Sequence, residues 1–221
     1  MKNLFVVVCV AFVSIGSFAL TLHAQEADLA QANASPAKKT FQLVAVPVEL
    51  PCLQGSTKNP PTATVTVVQG KLNDTLTIHL KHFKPNLAFD LFTVQRSRFI
   101  SNGTLDPAFP GTFGLAWYQS DLQVNSGGSG NAKIQTILVN QIFGFDGDAG
   151  VALAPINTFH VGFWFNDPNA AATCGFDPAS PTPFNGEHAA GPLAMESVPD
   201  ATSGLGPLCF DPSSTPGECN P

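Results

Sequence analysis

Polar and apolar residues alternate along much of the chain. Across Thr62 to Gln69 the apolar positions Ala63, Val65 and Val67 are interleaved with Thr64 and Thr66. Thr75 to Lys81 repeats the pattern, with Leu76, Ile78 and Leu80 set against Thr75, Thr77, His79 and Lys81. A strand sends successive side chains to opposite faces, so a period of two predicts a strand buried on one side. Gly70 to Asp74 supplies a turn between these two, and Lys84-Pro85-Asn86 supplies the next. Ala88 to Gln95 predicts another strand. Gln119 to Val124 and Ala132 to Val139 predict a hairpin about the turn-rich Asn125-Ser126-Gly127-Gly128-Ser129-Gly130-Asn131. Thr158 to Phe165 reads TFHVGFWF, apolar on both faces, as a strand covered on both sides would be. Phe41 to Glu49 and Pro192 to Val198 bring the set to about seven to nine strands. No long stretch has apolar residues at helical spacing, and 19 Gly and 19 Pro punctuate the chain too often for long helices. The expected fold is therefore all-β: a single antiparallel β-sandwich, with a β-barrel as the alternative.

The N-terminus departs from this pattern. Lys2 is followed by an apolar, uncharged run from Leu4 to Leu20, and Leu22-His23-Ala24 resembles a small-residue cleavage site. Residues 1–24 are expected to be a cleavable signal peptide rather than an uncleaved anchor. The run is short for a spanning helix, and no basic stop-transfer cluster follows it. Residues 25–40, rich in Ala and Gln, are expected to be a disordered leader. Residues 41–198 form the β-domain, and 199–221 an irregular tail tied by a disulfide. The expected location is secreted or periplasmic, with no membrane span after cleavage.

Charge narrows the partners. The chain carries a net charge of −6, and loss of Lys2 leaves nine basic residues against sixteen acidic ones, or −7. No Lys or Arg follows Lys133, whereas nine acids do. A half without cations cannot neutralise phosphates, which argues against nucleic acid as a partner and against anionic lipid.

Cys52, Cys174, Cys209 and Cys219 remain after signal removal. An even number in an exported chain points to two disulfides, and sequence alone leaves three pairings open. The preferred one joins Cys209 to Cys219 across a short turn-rich segment and Cys52 to Cys174. No Cys-x-x-Cys spacing is present, which disfavours structural zinc.

Chemistry-bearing patterns are sparse. There is no Gly-x-Ser-x-Gly, no His-Glu-x-x-His and no phosphate loop. A connection of about 25 residues, Asn166 to Gly191, collects Asp167, Asn185, Glu187 and His188 with Cys174, and is the candidate ligand-binding loop. His160 and His188 are candidate metal ligands if their strands neighbour each other. Asp146 and Asp148, in a Gly-Asp alternation, are candidates for calcium, although no Glu closes an EF-hand loop. His79 and His82 point to opposite faces of one strand unless it bends at Phe83. Trp117-Tyr118 is a candidate platform for stacking sugars, with at most one of the pair facing the core; Trp164, between two Phe residues, is expected to be packing.

The segment His160-Val161-Gly162-Phe163-Trp164-Phe165-Asn166-Asp167-Pro168, followed by Thr182-Pro183-Phe184-Asn185-Gly186 and Ala190-Gly191-Pro192, resembles a pattern in uncharacterised secreted bacterial proteins. The resemblance spans roughly Thr62 to Ser197 and implies a bacterial secreted β-domain, with no activity or cofactor attached. The sequence therefore points to a non-enzymatic binding or structural module without a cofactor and with a cell-surface or carbohydrate partner. The alternative is a metal-dependent enzyme with a site near His160 and His188, using calcium or a transition metal.

Overall fold

The computed structural model describes residues 37–136, 145–146, 151–152, 159–185 and 188–210. The expected signal peptide, Asp148, Glu187 and Cys219 lie outside them.

The alternating segments fold as strands with the expected faces inward. They are β1 (Lys38–Ala45), β2 (Thr62–Val68), β3 (Asp74–Lys81), β4 (Ala88–Val94), β5 (Ala116–Gln123) and β6 (Gly130–Thr136). Two short strands follow, β7 (Phe145–Asp146) and β8 (Val151–Ala152), and then β9 (His160–Phe165), β10 (Thr182–Asn185), β11 (His188–Ala190) and β12 (Leu193–Ser197). Eight of these make one antiparallel sheet in the order β5-β4-β9-β12-β1-β2-β3-β6. Its outer members, β5 and β6, lie side by side, so the sheet curls into a nearly closed barrel. This is the alternative architecture rather than a two-sheet sandwich. Closure covers the strand edges that an open sheet would expose, and the alternating pattern is the same in both.

Ala63, Val65 and Val67 of β2 and Leu76, Ile78 and Leu80 of β3 are buried, while His79 is exposed. They join Phe89, Leu91, Phe163 and Phe165 in the barrel interior, where the rings of Phe89 and Phe163 stand 4.7 Å apart. A second, smaller core lies on the outer face of the sheet. There Phe92, Val94, Trp164 and Leu193 pack with Val46 and with Phe99 from the long β4–β5 connection. Strands β9 and β12 are thus covered on both faces, and every residue of each is buried.

Three expectations change in the structure. β1 begins at Lys38, where Lys38 to Thr40 pair with Val68 to Thr66, so these three residues, expected in the leader, belong to the sheet. Pro47–Glu49 and Leu50–Leu53 are single helical turns rather than strand, because Pro47 and Pro51 cannot donate to a ladder. The β5 and β6 segments are joined by the expected tight turn, but their ladders run outward to β4 and β3. In that turn Asn125 N donates to Ser129 O at 2.8 Å, and Gly128 sits at φ 75° with its Cα side against Phe83 O. An added Cβ would come within 2.5 Å of that oxygen, so the position demands Gly.

The long connection after β9 is more regular than expected. Pro168–Cys174 forms a 3-10 helix, and β10 and β11 form a hairpin. The tail is also partly built in: Leu208 and Cys209 are buried in the barrel's core, and Leu208 N donates to Phe159 O at 3.0 Å.

Candidate functional site

The Cys52–Cys174 disulfide is present and spans 122 residues of sequence. It staples the helical turn after β1 to the 3-10 helix after β9. Cys209 is also disulfide-bonded; the pairing expected for it involves Cys219, outside the described residues.

Asp167 is an N-cap: its Oδ1 accepts from Asn169 N at 2.9 Å and from Asn169 Nδ2 at 2.8 Å, which satisfies a free helix donor. Asn185 and His188 are backbone register partners at the end of the β10–β11 hairpin. Asp146 pairs with Val151 in the short β7–β8 ladder. His160 lies in the middle of the main sheet at zero exposure, with Nδ1 3.2 Å from Ser197 Oγ; Ser197 Oγ also accepts from Val161 N at 3.0 Å. His160 is therefore a buried structural histidine, and among the described residues it belongs to no group of three metal-ligating side chains. His82 is exposed at φ 66°, where the chain bends after β3.

The aromatic candidates behave differently. Trp164 is packing, at 3% exposure, with edge-to-face contacts to Phe92 at 5.4 Å and Phe113 at 5.2 Å. Trp117 and Tyr118 are both exposed, at 49% and 50%. They sit on β5, opposite Thr93 and Phe92. A bulge accommodates Gln119 here, since Leu91 pairs with Ser120 and Phe92 with Tyr118. Tyr118 packs edge-on against Phe92 at 5.6 Å, which anchors one edge of its ring and leaves the rest in solvent. Its hydroxyl donates to Asp121 Oδ1 at 2.7 Å. Asp121 stands opposite Asp90 across the β5–β4 ladder, and Asp90 Oδ1 accepts from Asn166 Nδ2 at 3.0 Å. Burial, the Asp121 hydrogen bond and the charges of Asp121 and Asp90 push the Tyr118 phenol up to about 12, so it stays a donor throughout the physiological range.

Tyr118 and Asp121 therefore share one face of β5, above the buried Asp90 and its Asn166 partner, whereas Trp117, opposite Thr93, is turned to the other face of the same strand. Flat apolar surface beside fixed acceptors suits a ligand with C–H faces and hydroxyl rims, as a pyranose has. Trp117 and Tyr118 are visible in the sequence; Asp90, Asp121 and Asn166 are not singled out there. The signal for Asp90 is an acid inside the apolar strand AFDLFTV.

A second polar cluster is internal. Glu196, at zero exposure, accepts from Arg98 N at 2.9 Å and sits 3.4 Å from Ser97 Oγ, which donates at 2.8 Å to Ser197 O. It faces Gly162 across the β12–β9 ladder. Burial holds the Glu196 carboxyl protonated up to about 8, opposed by the bonds from Arg98 and Ser97 and by the Arg98 charge. Burial also raises Glu49, again opposed by Arg98.

No family model matches the chain, and neither a curated protein nor a solved structure matches it. Among the described residues no helix is long and apolar enough to cross a membrane.

Proposed function

We propose that the chain is an exported, non-enzymatic binding module that takes a saccharide at the β5 edge of its barrel. The observation that carries this reading is the half-exposed Tyr118 ring beside the Asp121 carboxylate it engages, with the half-exposed Trp117 on the opposite face of the same strand. Large aromatics are normally buried, and a supported strand margin that displays one ring on each face, one of them beside a fixed hydrogen-bond acceptor, is suited to hold a sugar chain. Export is supported by the apolar run after Lys2 and by a disulfide that ties distant parts of the chain. The enzyme reading draws no support from His160, whose ring is buried beside Ser197 and Gly206.

Titration with neutral oligosaccharides, read by tryptophan fluorescence and calorimetry, tests the proposal. Trp117→Ala and Tyr118→Ala are each expected to weaken binding at least tenfold without altering the circular dichroism spectrum. Stacking lost at one ring accounts for a change of that size, about 1–1.5 kcal/mol. Binding that survives both substitutions, or a panel of sugars with no ligand in it, would remove the reading.

A further inference from the structure

Glu49, Cys52 and Cys174 bring one carboxylate oxygen and two sulfurs within 4.8 Å of one another. Local geometry explains the convergence. Glu49 and Cys52 are three residues apart on consecutive helical turns, so they share a face. Cys174 arrives from the end of the 3-10 helix that follows β9. Glu49 is 5% exposed, yet its Oε2 has no hydrogen-bond partner among the described residues. A buried carboxylate oxygen without a donor costs free energy, and nothing in the oxidised pair of sulfurs can supply one. A disulfide sulfur has no proton, so in the 3.2 Å contact with Cys52 Sγ it is the Thr173 hydroxyl that donates.

We propose that the disulfide and a metal site are alternative states of these three side chains: once Cys52–Cys174 is reduced, they hold a thiophilic divalent cation, with zinc the best fit. A dithiol reductant supplies two electrons and two protons, becomes a disulfide itself, and leaves Cys52 and Cys174 as thiols. The cation then displaces the two thiol protons to solvent and bonds two thiolate sulfurs and a Glu49 oxygen. Two sulfurs and one oxygen are a ligand set that zinc accepts, with water completing a tetrahedron on the half-buried Cys174 side. Charge closes as well. Two thiolates and one carboxylate carry three negative charges, which meet the two of the ion and the one of Arg98, whose field acts on Glu49. The Thr173 hydroxyl remains as a donor to the Cys52 sulfur and orients it.

The test is a cobalt titration of the full chain after anaerobic reduction and removal of reductant, followed by zinc competition. One equivalent of cobalt should give a thiolate-to-metal charge-transfer band that zinc abolishes, and the oxidised chain should give none. Cys52→Ser should abolish the band, Cys209→Ser should keep it, and Glu49→Gln should weaken cobalt binding at least tenfold. If the reduced chain loses its β-sheet spectrum, zinc should restore it. A reduced, folded chain without the band, a Glu49→Gln chain that binds as tightly as wild type, or an unfolded reduced chain that zinc leaves unfolded would each overturn the proposal.

Discussion

Glu196 occupies a costly position. It stands inside Leu193-Ala194-Met195-Glu196-Ser197, where its neighbours are apolar or small and the whole strand is buried. In the unfolded chain its carboxyl ionises near the ordinary value of 4.5, and in the folded chain near 8. Between those values the unfolded state binds fewer protons than the native state, so stability falls as pH rises through the window and levels off above it. The ceiling on this loss is about 5 kcal/mol, from the size of the shift. Urea unfolding should therefore show a lower midpoint at pH 8 than at pH 5. Glu196→Gln should flatten that dependence and surpass wild type at pH 8; a wild-type midpoint unchanged between the two would contradict the assignment. At this scale the sequence is legible for apolar residues and poorly so for polar ones. Val65 and Ile78 announce their burial by alternation. His160, Glu196 and Asp90 are also buried, but their burial depends on partners from other segments of the chain, namely Ser197, Arg98 and Asn166.

At the scale of elements, the strands with clean patterns, β2, β3 and β9, fall within two residues of their expected limits. The hydrophobic effect acts locally through the period of two, so no knowledge of the partner strand is needed. Connections are less legible. The Asn166 to Gly191 segment folds into a 3-10 helix and a hairpin because Asp167 caps one and cross-strand pairing makes the other, and neither follows from composition. The Cys52–Cys174 bridge clamps that 3-10 helix to the helical turn after β1, joining segments 122 residues apart. A loop of that length gives a cross-link close to its maximal effect on the unfolded chain. The Cys52→Ser/Cys174→Ser double variant should lose about 3–5 kcal/mol in denaturant unfolding. A loss under about 1 kcal/mol would show that helical packing alone holds these turns together.

For the whole molecule, the chain's reading as a saccharide-binding barrel rests on a division of labour between two tryptophans. Trp164 is sealed in the outer core under Phe92 and Phe113, while Trp117 is half exposed at the edge strand. Barrel closure makes that division possible: it leaves β5 as a supported margin rather than an open edge, with Phe92 buttressing Tyr118 from β4. These two are the chain's only tryptophans, so their indole N–H signals report separately on the site and on the core. The most direct measurement is a titration of uniformly nitrogen-15-labelled protein with an oligosaccharide ligand, followed at those two signals. The Trp117 indole is predicted to shift progressively and saturate while the Trp164 indole stays in place. A Trp117 signal that does not move at saturating ligand, or a Trp164 signal that moves instead, would contradict it.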